Sequence, residues 1–145
     1  MTSRLTHALH IVGMLARHER MGVTWTTSVD LARSMGTHPV VVKRLLGDLS
    51  RKDLVETKRG PGGGVRLARS AVSIALSDVF DAIREGETLL SLYPDGPSPS
   101  CEVAPHVERY VRGLYADVEA QVRRAFAART VAEMEREVSA RVASA

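Results

Sequence analysis

Residues 27–52 read TSVDLARSMGTHPVVVKRLLGDLSRK, and this stretch decides the fold. Thr27 stands three residues before Asp30, the spacing of a capping box, so a helix starts here. It is short: Leu31 and Met35 lie one turn apart with small Ala32 beside them, and Gly36 ends it where a left-handed residue closes a helix. Pro39 suits the first turn of a second helix, because its missing N–H would be unpaired there anyway. Over 40–52 the residues divide by face, at about 100° of rotation each. Val42, Leu45, Leu46 and Leu49 share one face; Val40, Lys43, Arg44 and Gly47 share the opposite one. Two short helices joined by a tight glycine-containing turn form a helix-turn-helix. The second helix has an apolar back to pack on a core and a slim basic front. Gly47 brings no side chain to hold that front away from a duplex.

On the N-terminal side, residues 3–19 form an amphipathic helix: Leu5, Leu9, Val12 and Ala16 recur at helical spacing, and Ala8, Ile11 and Leu15 widen the stripe until Gly22 breaks it. On the C-terminal side, 54–59 (LVETKR) and 65–67 (VRL) are short β-prone runs around the glycine-rich turn 60–64 (GPGGG). A phosphate-cradling P-loop needs a following Lys-Ser/Thr and a helix, and this segment has neither. A hairpin directly after a groove-reading helix is either a wing or a plain structural hairpin, and the basic tip, flanked by Lys58, Arg59, Arg66 and Arg69, favours the wing.

Further along, Leu76, Val79, Phe80 and Ile83 predict a helix over 76–85 that stops at Gly86. Pro94, Gly96, Pro97 and Pro99 make 91–100 a loop. A long helix is predicted from Val103 or Pro105 to Ala128. Val103, Val107, Val111, Leu114, Val118, Val122 and Phe126 step along it at near-heptad spacing. The stripe belongs either to a core helix of one chain or to a contact between two; the earlier elements already complete a small winged domain, so a partner chain is the simpler cover for it. Thr130 and Glu133 form another capping-box pair and open a final helix over 131–142. The expected fold is mainly α with a small β-hairpin wing. Its parts are a winged helix-turn-helix over 1–86, a loop and sensing region over 87–104, and a helical dimerisation arm over 105–145.

Composition bounds the function. With 44% hydrophobic residues the 145-residue chain has material for a core, and with 4% aromatics it lacks a base-stacking platform. No apolar run approaches the ~20 residues of a membrane span, and the N-terminus has no signal-peptide layout, so a cytoplasmic protein is expected. Residues 1–69 carry 12 Lys/Arg against 5 Asp/Glu, a balance of +7, whereas 70–145 carry 8 against 12, a balance of −4. Positive charge gathered in one half is the footprint of a polyanion binder, although a solvated charged surface gives the same count. No Ser-His-Asp set, metal motif or nucleotide fingerprint can be placed, so no enzyme is expected.

Several segments together resemble a known family: Arg4-Leu5, Leu31-Ala32 with Met35-Gly36, the run from Pro39 to Leu46, Leu54-Val55, and the wing from Arg59 to Gly64. They are similar to the Rrf-two family of winged-helix transcription regulators, of IscR, NsrR and CymR type. Pro99-Ser100-Cys101-Glu102-Val103 is similar to its YwnA-like branch, which lacks an iron–sulfur cluster. The resemblance implies a homodimer, paired through the long helix near 105–128, on a partly palindromic double-stranded DNA operator. A recognition helix would enter each of two successive major grooves ~34 Å apart or a multiple of that. Carried over by position, His38, Val40, Val41, Lys43 and Arg44 face the major groove and Arg59 the minor groove. The expected DNA-contacting set is Thr27, His38, Val40, Val41, Lys43, Arg44, Lys58, Arg59, Gly62, Gly63 and Arg66. Lys43 and Arg44 either pair with guanine edges or hold phosphates.

Cluster-binding members carry three closely spaced cysteines before the long helix, and this chain has Cys101 alone, so no cofactor is expected. His7, His10, Cys101 and His106 are either ordinary surface and packing residues or nitrogen and sulfur ligands meeting across a dimer. Cys101 precedes a helix N-terminus, where a thiol gains reactivity. It is either a sensing thiol or a small apolar residue seating the loop. The expected function is a repressor-type regulator responding to an unidentified redox or small-molecule signal. The alternative is a winged-helix interaction adaptor that does not bind DNA.

Overall fold

The structure, a computed structural model, describes residues 2–145. Helix α1 (Thr2–Arg20) runs through the middle of the molecule and buries Ala8, Ile11, Val12, Leu15 and Ala16. Helices α2 (Ser28–Met35) and α3 (Pro39–Arg51) follow, joined by the turn at Gly36, whose φ of 61° is left-handed. The capping pair that marks the start of α2 is half formed: Thr27 Oγ1 accepts from Asp30 N at 3.1 Å, while the Asp30 carboxylate turns to Arg33 at 3.0 Å. Strands β1 (Val55–Lys58) and β2 (Gly64–Leu67) pair antiparallel from Val55↔Leu67 to Lys58↔Gly64. Thr26 adds a third backbone to the sheet, with Thr26 N donating to Val65 O at 3.0 Å and Val65 N to Thr26 O at 2.8 Å.

The inner face of the hairpin, with Val55, Val65 and Leu67, seals the same core that takes Leu31, Leu45, Leu49 and Leu54. A short 3-10 turn (Ala71–Ser73) and α4 (Leu76–Arg84) close it, burying Ile74, Val79, Phe80 and Ile83. Helix α4 ends one residue before the expected stop: Glu85 takes the left-handed conformation itself, at φ 45°, ahead of Gly86.

Helix α5 (Ala104–Ala127) buries none of its residues fully. Its C-terminal half rests on α4, where Phe126 stacks on Phe80 with ring centroids 5.2 Å apart, Arg123 meets Asp81 at 2.6 Å, and Arg84 pairs with Glu119. Helix α6 (Val131–Ala143) turns back onto α1. Thr130 Oγ1 accepts from Glu133 N and the Glu133 carboxylate accepts from Thr130 N, the full capping box expected there. Val131 is fully buried and its N–H donates to Ile74 O. Gly13 leaves room for Met134, whose Cε would lie 3.0 Å from an added Cβ. Arg20 holds the buried Glu135 at 3.0 Å, and Arg17 reaches Ser139 at 2.8 Å. The final helix is therefore fastened to the first.

Two stability predictions follow from these contacts. Hydrogen bonds from Arg20, then from Ser139, hold the Glu135 carboxyl below the usual carboxylate range. A depressed native value means that the contribution is complete above the unfolded pKa near ~4.3 and is lost as pH falls through the native value. Urea unfolding at stepped pH should show Glu135→Gln less stable by about 1 kcal/mol at neutrality, and with a shallower acid decline below about pH 4. At Gly64, an added Cβ would stand 2.5 Å from Thr26 O on a backbone with φ of 152°. Gly64→Ala should cost about 2 kcal/mol or more in the same assay and loosen the hairpin.

Candidate nucleic-acid interface

The recognition surface is built on α3. Val42, Leu45, Leu46 and Leu49 are buried, which fixes the rotation of the helix and leaves Lys43, Arg44 and Val40 exposed on the other side. Among the described residues, neither Lys43 nor Arg44 has an ion-pair partner, so both charges are free for an external anion. Val41 is only half exposed and packs against the core, so of the expected face it presents the least surface.

His38 has a second task besides facing outward. It caps α3, with Nδ1 accepting from Val40 N at 3.2 Å, which places the proton of the neutral ring on Nε2, the atom left to donate elsewhere. Thr27 likewise caps α2 with its hydroxyl and remains exposed at the edge of the same surface.

Sequence reasoning missed the residue that ties α3 to its neighbours. Asp48 lies on α3 but is buried; it accepts from Arg4 of α1 at 2.7 Å and pairs with Arg51, which also pairs with Glu85 at the end of α4. The only local signal was the three-residue spacing of Asp48 and Arg51. Arg4, 44 residues away, gave none.

The wing supplies the second group of cations. Lys58 and Arg59 are exposed at its tip, and Arg59 has no ion-pair partner among the described residues. The glycines shape the turn. Gly62 is left-handed at φ 73°, and a Cβ on Gly63 would lie 2.1 Å from Lys58 O, so the chain reverses there only without side chains. Arg66 stands on the outer face of β2 but is engaged, paired with Glu56 and placed over the ring of Trp25 at 4.4 Å. Arg69 is also held, donating to Ser73 O at 2.6 Å.

Recognition helix and wing face each other across one groove. Lys43, Gly47 and Ser50 line it from α3, and Thr57, Lys58 and Arg59 line it from the hairpin. Of the expected basic residues the groove brings together Lys43, Lys58 and Arg59, with Gly47 between them on the helix side; Arg44 lines a neighbouring hollow with Arg51 and Glu85, and Arg66 is not among the lining residues.

A second surface lies on α5. Val107, Leu114 and Val118 are exposed by 43%, 47% and 36%, and Tyr110 by 75%, on a helix whose C-terminal half packs against α4 through Glu119, Arg123 and Phe126. Cys101, just before α5, is exposed, so within one chain it is not packed as a filler of the loop. His10 is bonded to Ser34 Oγ at 2.9 Å. Burial, then neighbouring His7, pushes its pKa down. Among the described residues no three His, Cys, Asp or Glu side chains gather as metal ligands, and no helix is long and apolar enough to cross a membrane.

Comparison with known proteins gives the family and the fold. Residues 1–137 match the Rrf2 family, described as iron-dependent transcriptional regulators. YwnA of Bacillus subtilis, whose name places it among HTH-type transcriptional regulators, is 26% identical over 132 residues, 91% of this chain and 94% of its own. The HTH-type transcriptional regulator IscR of Cereibacter sphaeroides is 34% identical over 71 residues, 49% of this chain and 46% of its own. Among solved structures, the cysteine regulator CymR of B. subtilis superposes with a TM-score of 0.69 at 18% identity, covering 94% of this chain and 96% of that one. The iron in the family description does not fit the donors present. A cluster takes four ligands as a rule, whereas the chain has one cysteine, Cys101, which is exposed, and among the described residues no three His, Cys, Asp or Glu side chains gather as a metal site. In sequence and in fold, the chain belongs to the Rrf2 family of transcriptional regulators.

Proposed function

We propose that the protein is a homodimeric, sequence-specific DNA-binding regulator of transcription, of repressor type. One observation carries this: α3 turns Lys43 and Arg44 outward over a buried leucine back, and Lys43 lines one groove with the free wing cation Arg59. A major groove is wide enough to admit such a helix, and flanking phosphates then lie within reach of Lys58 and Arg59. Thr27, His38, Val40, Gly62 and Gly63 complete the contacting surface, the last two by letting the wing backbone approach closely. Base readout falls to Arg44 or Lys43, the side chains able to pair with guanine edges.

The uncovered apolar face of α5 supports pairing of two copies. A row of valines with Leu114 and Tyr110 in water is a patch that association would bury. Paired α5 helices would set the spacing of two recognition helices on half-sites ~34 Å apart or a multiple of it. The reading assigns no iron–sulfur cluster and no metal, and places the protein in the cytoplasm with the DNA. The signal acts on the segment between α4 and α5, which includes the exposed Cys101. Oxidation of this thiol would change the loop that joins reader to dimer helix.

Fluorescence anisotropy with a duplex from the region upstream of the protein's own gene tests the proposal. Affinity should fall by orders of magnitude between ~50 and ~200 mM salt. Arg44→Ala should weaken binding about tenfold and relax the preference at one base pair, while Arg59→Ala should lower the salt slope by about one. Leu114→Glu should sediment as a monomer and lose most of the affinity. A parent protein with no preference for that duplex over a scrambled one at low salt would contradict the reading and favour the adaptor.

A further inference from the structure

Trp25 is the single tryptophan of the chain, and it is half-buried beside the wing. Its neighbour Thr26 is the inward residue: buried, paired through its backbone with Val65, and hydrogen-bonded by its hydroxyl to His18 Nδ1 at 2.7 Å. Trp25 instead meets the outer face of the hairpin. The register pairs Glu56 with Arg66 and Lys58 with Gly64, so Glu56, Lys58 and Arg66 share that face. The Arg66 guanidinium lies 4.4 Å from the indole centroid and the Lys58 ammonium 5.8 Å from it.

We propose that Trp25 is the positioning residue of the wing: its ring clamps Arg66 and Lys58 so that Lys58 and Arg59 are presented to the duplex together. The inference rests on the DNA-binding reading above and names how that site is held. An isolated two-stranded hairpin is marginal in water, and strands of four residues with three glycines and a proline between them need an external anchor. The 24–26 segment supplies it twice, through the Thr26 backbone on the inside and the Trp25 ring on the outside. An indole face attracts guanidinium and ammonium groups by its quadrupole. Arg66, held by Glu56 on one side and the ring on the other, is thereby committed to the wing itself. Lys58 is kept over the ring, on the face it shares with Glu56, and stays available for phosphate. A wing ordered before binding loses less freedom on the duplex, which is the gain expected from preorganisation.

Two substitutions separate ring from bulk. Trp25→Leu keeps an apolar cover without a π face, and Trp25→Phe keeps a smaller ring. With the upstream duplex as probe, Trp25→Leu should weaken binding about five- to tenfold and flatten the salt slope by about one phosphate, while Trp25→Phe stays close to the parent. If Trp25 acts through the lysine it holds, adding Trp25→Leu to Lys58→Ala should cost little beyond Lys58→Ala alone. A Trp25→Leu protein with parental affinity and slope, or losses that add in full, would overturn the proposal. Hydrogen exchange without DNA decides independently. The amides of 55–67 should exchange faster in Trp25→Leu than in Trp25→Phe, and equal rates would overturn the proposal even if the parent bound no DNA, an outcome that by itself contradicts only the regulator reading.

Discussion

Everything on the recognition surface depends on the burial of four side chains on the back of α3: Val42, Leu45, Leu46 and Leu49. Burying such a side chain is worth about 1.5–3 kcal/mol each, so turning the helix to hide Lys43 and Arg44 would forfeit most of a small domain's net stability. A solvent-exposed ion pair returns at most about 1 kcal/mol, far too little to compete. The apolar back therefore decides where the cations point, and it does so before any partner arrives. Asp48, buried between Arg4 and Arg51, adds a directional pin to a placement that hydrophobic burial has already made.

The same economy explains the rest of the chain. The wing is too small to stand alone, so its inner face joins the core through Val55, Val65 and Leu67 and its backbone is extended by Thr26. Close backbone approach at Gly64 is a consequence of that extension, whereas the one at Gly63 belongs to the turn, against Lys58 and Gly60. Helix α6 returns to α1 through Val131 and the Arg20–Glu135 pair, which fixes the C-terminal end of α5 to the reader. The named side-chain contacts of α5 with α4, at Glu119, Arg123 and Phe126, lie in its C-terminal half, and its N-terminal end follows the loop after α4. Movement of one end relative to the other is therefore a change in α5 direction, the coordinate along which two paired readers would alter their spacing.

Short-range chemistry was legible in the residues. The faces of α3, the closing glycine at 36, the capping box at Thr130 and the hairpin around 60–64 are all periodicities or turn preferences within a few positions. The pairings that hold these pieces together were not, because nothing local marks them: Arg4 with Asp48, His18 with Thr26, Arg20 with Glu135. Side chains with two tasks were also partly hidden. His38 was legible as an outward residue and not as a cap, and Arg66 as a wing cation and not as the partner of Glu56 and Trp25. The near-heptad on α5 was visible because its repeat is local, but which part of it would be exposed was not: Val107, Leu114 and Val118 are exposed, whereas Phe126 packs on Phe80 of the same chain. The left-handed Glu85 was invisible because the following glycine was the ordinary candidate for that conformation.

The most direct test of the central claim is a crystal structure of the protein on a duplex from upstream of its own gene. The account predicts α3 in the major groove, Lys43 and Arg44 within hydrogen-bonding distance of bases or phosphates, and the four apolar residues of its back still buried. A duplex seated on another face, with Lys43 and Arg44 left in solvent, would contradict it.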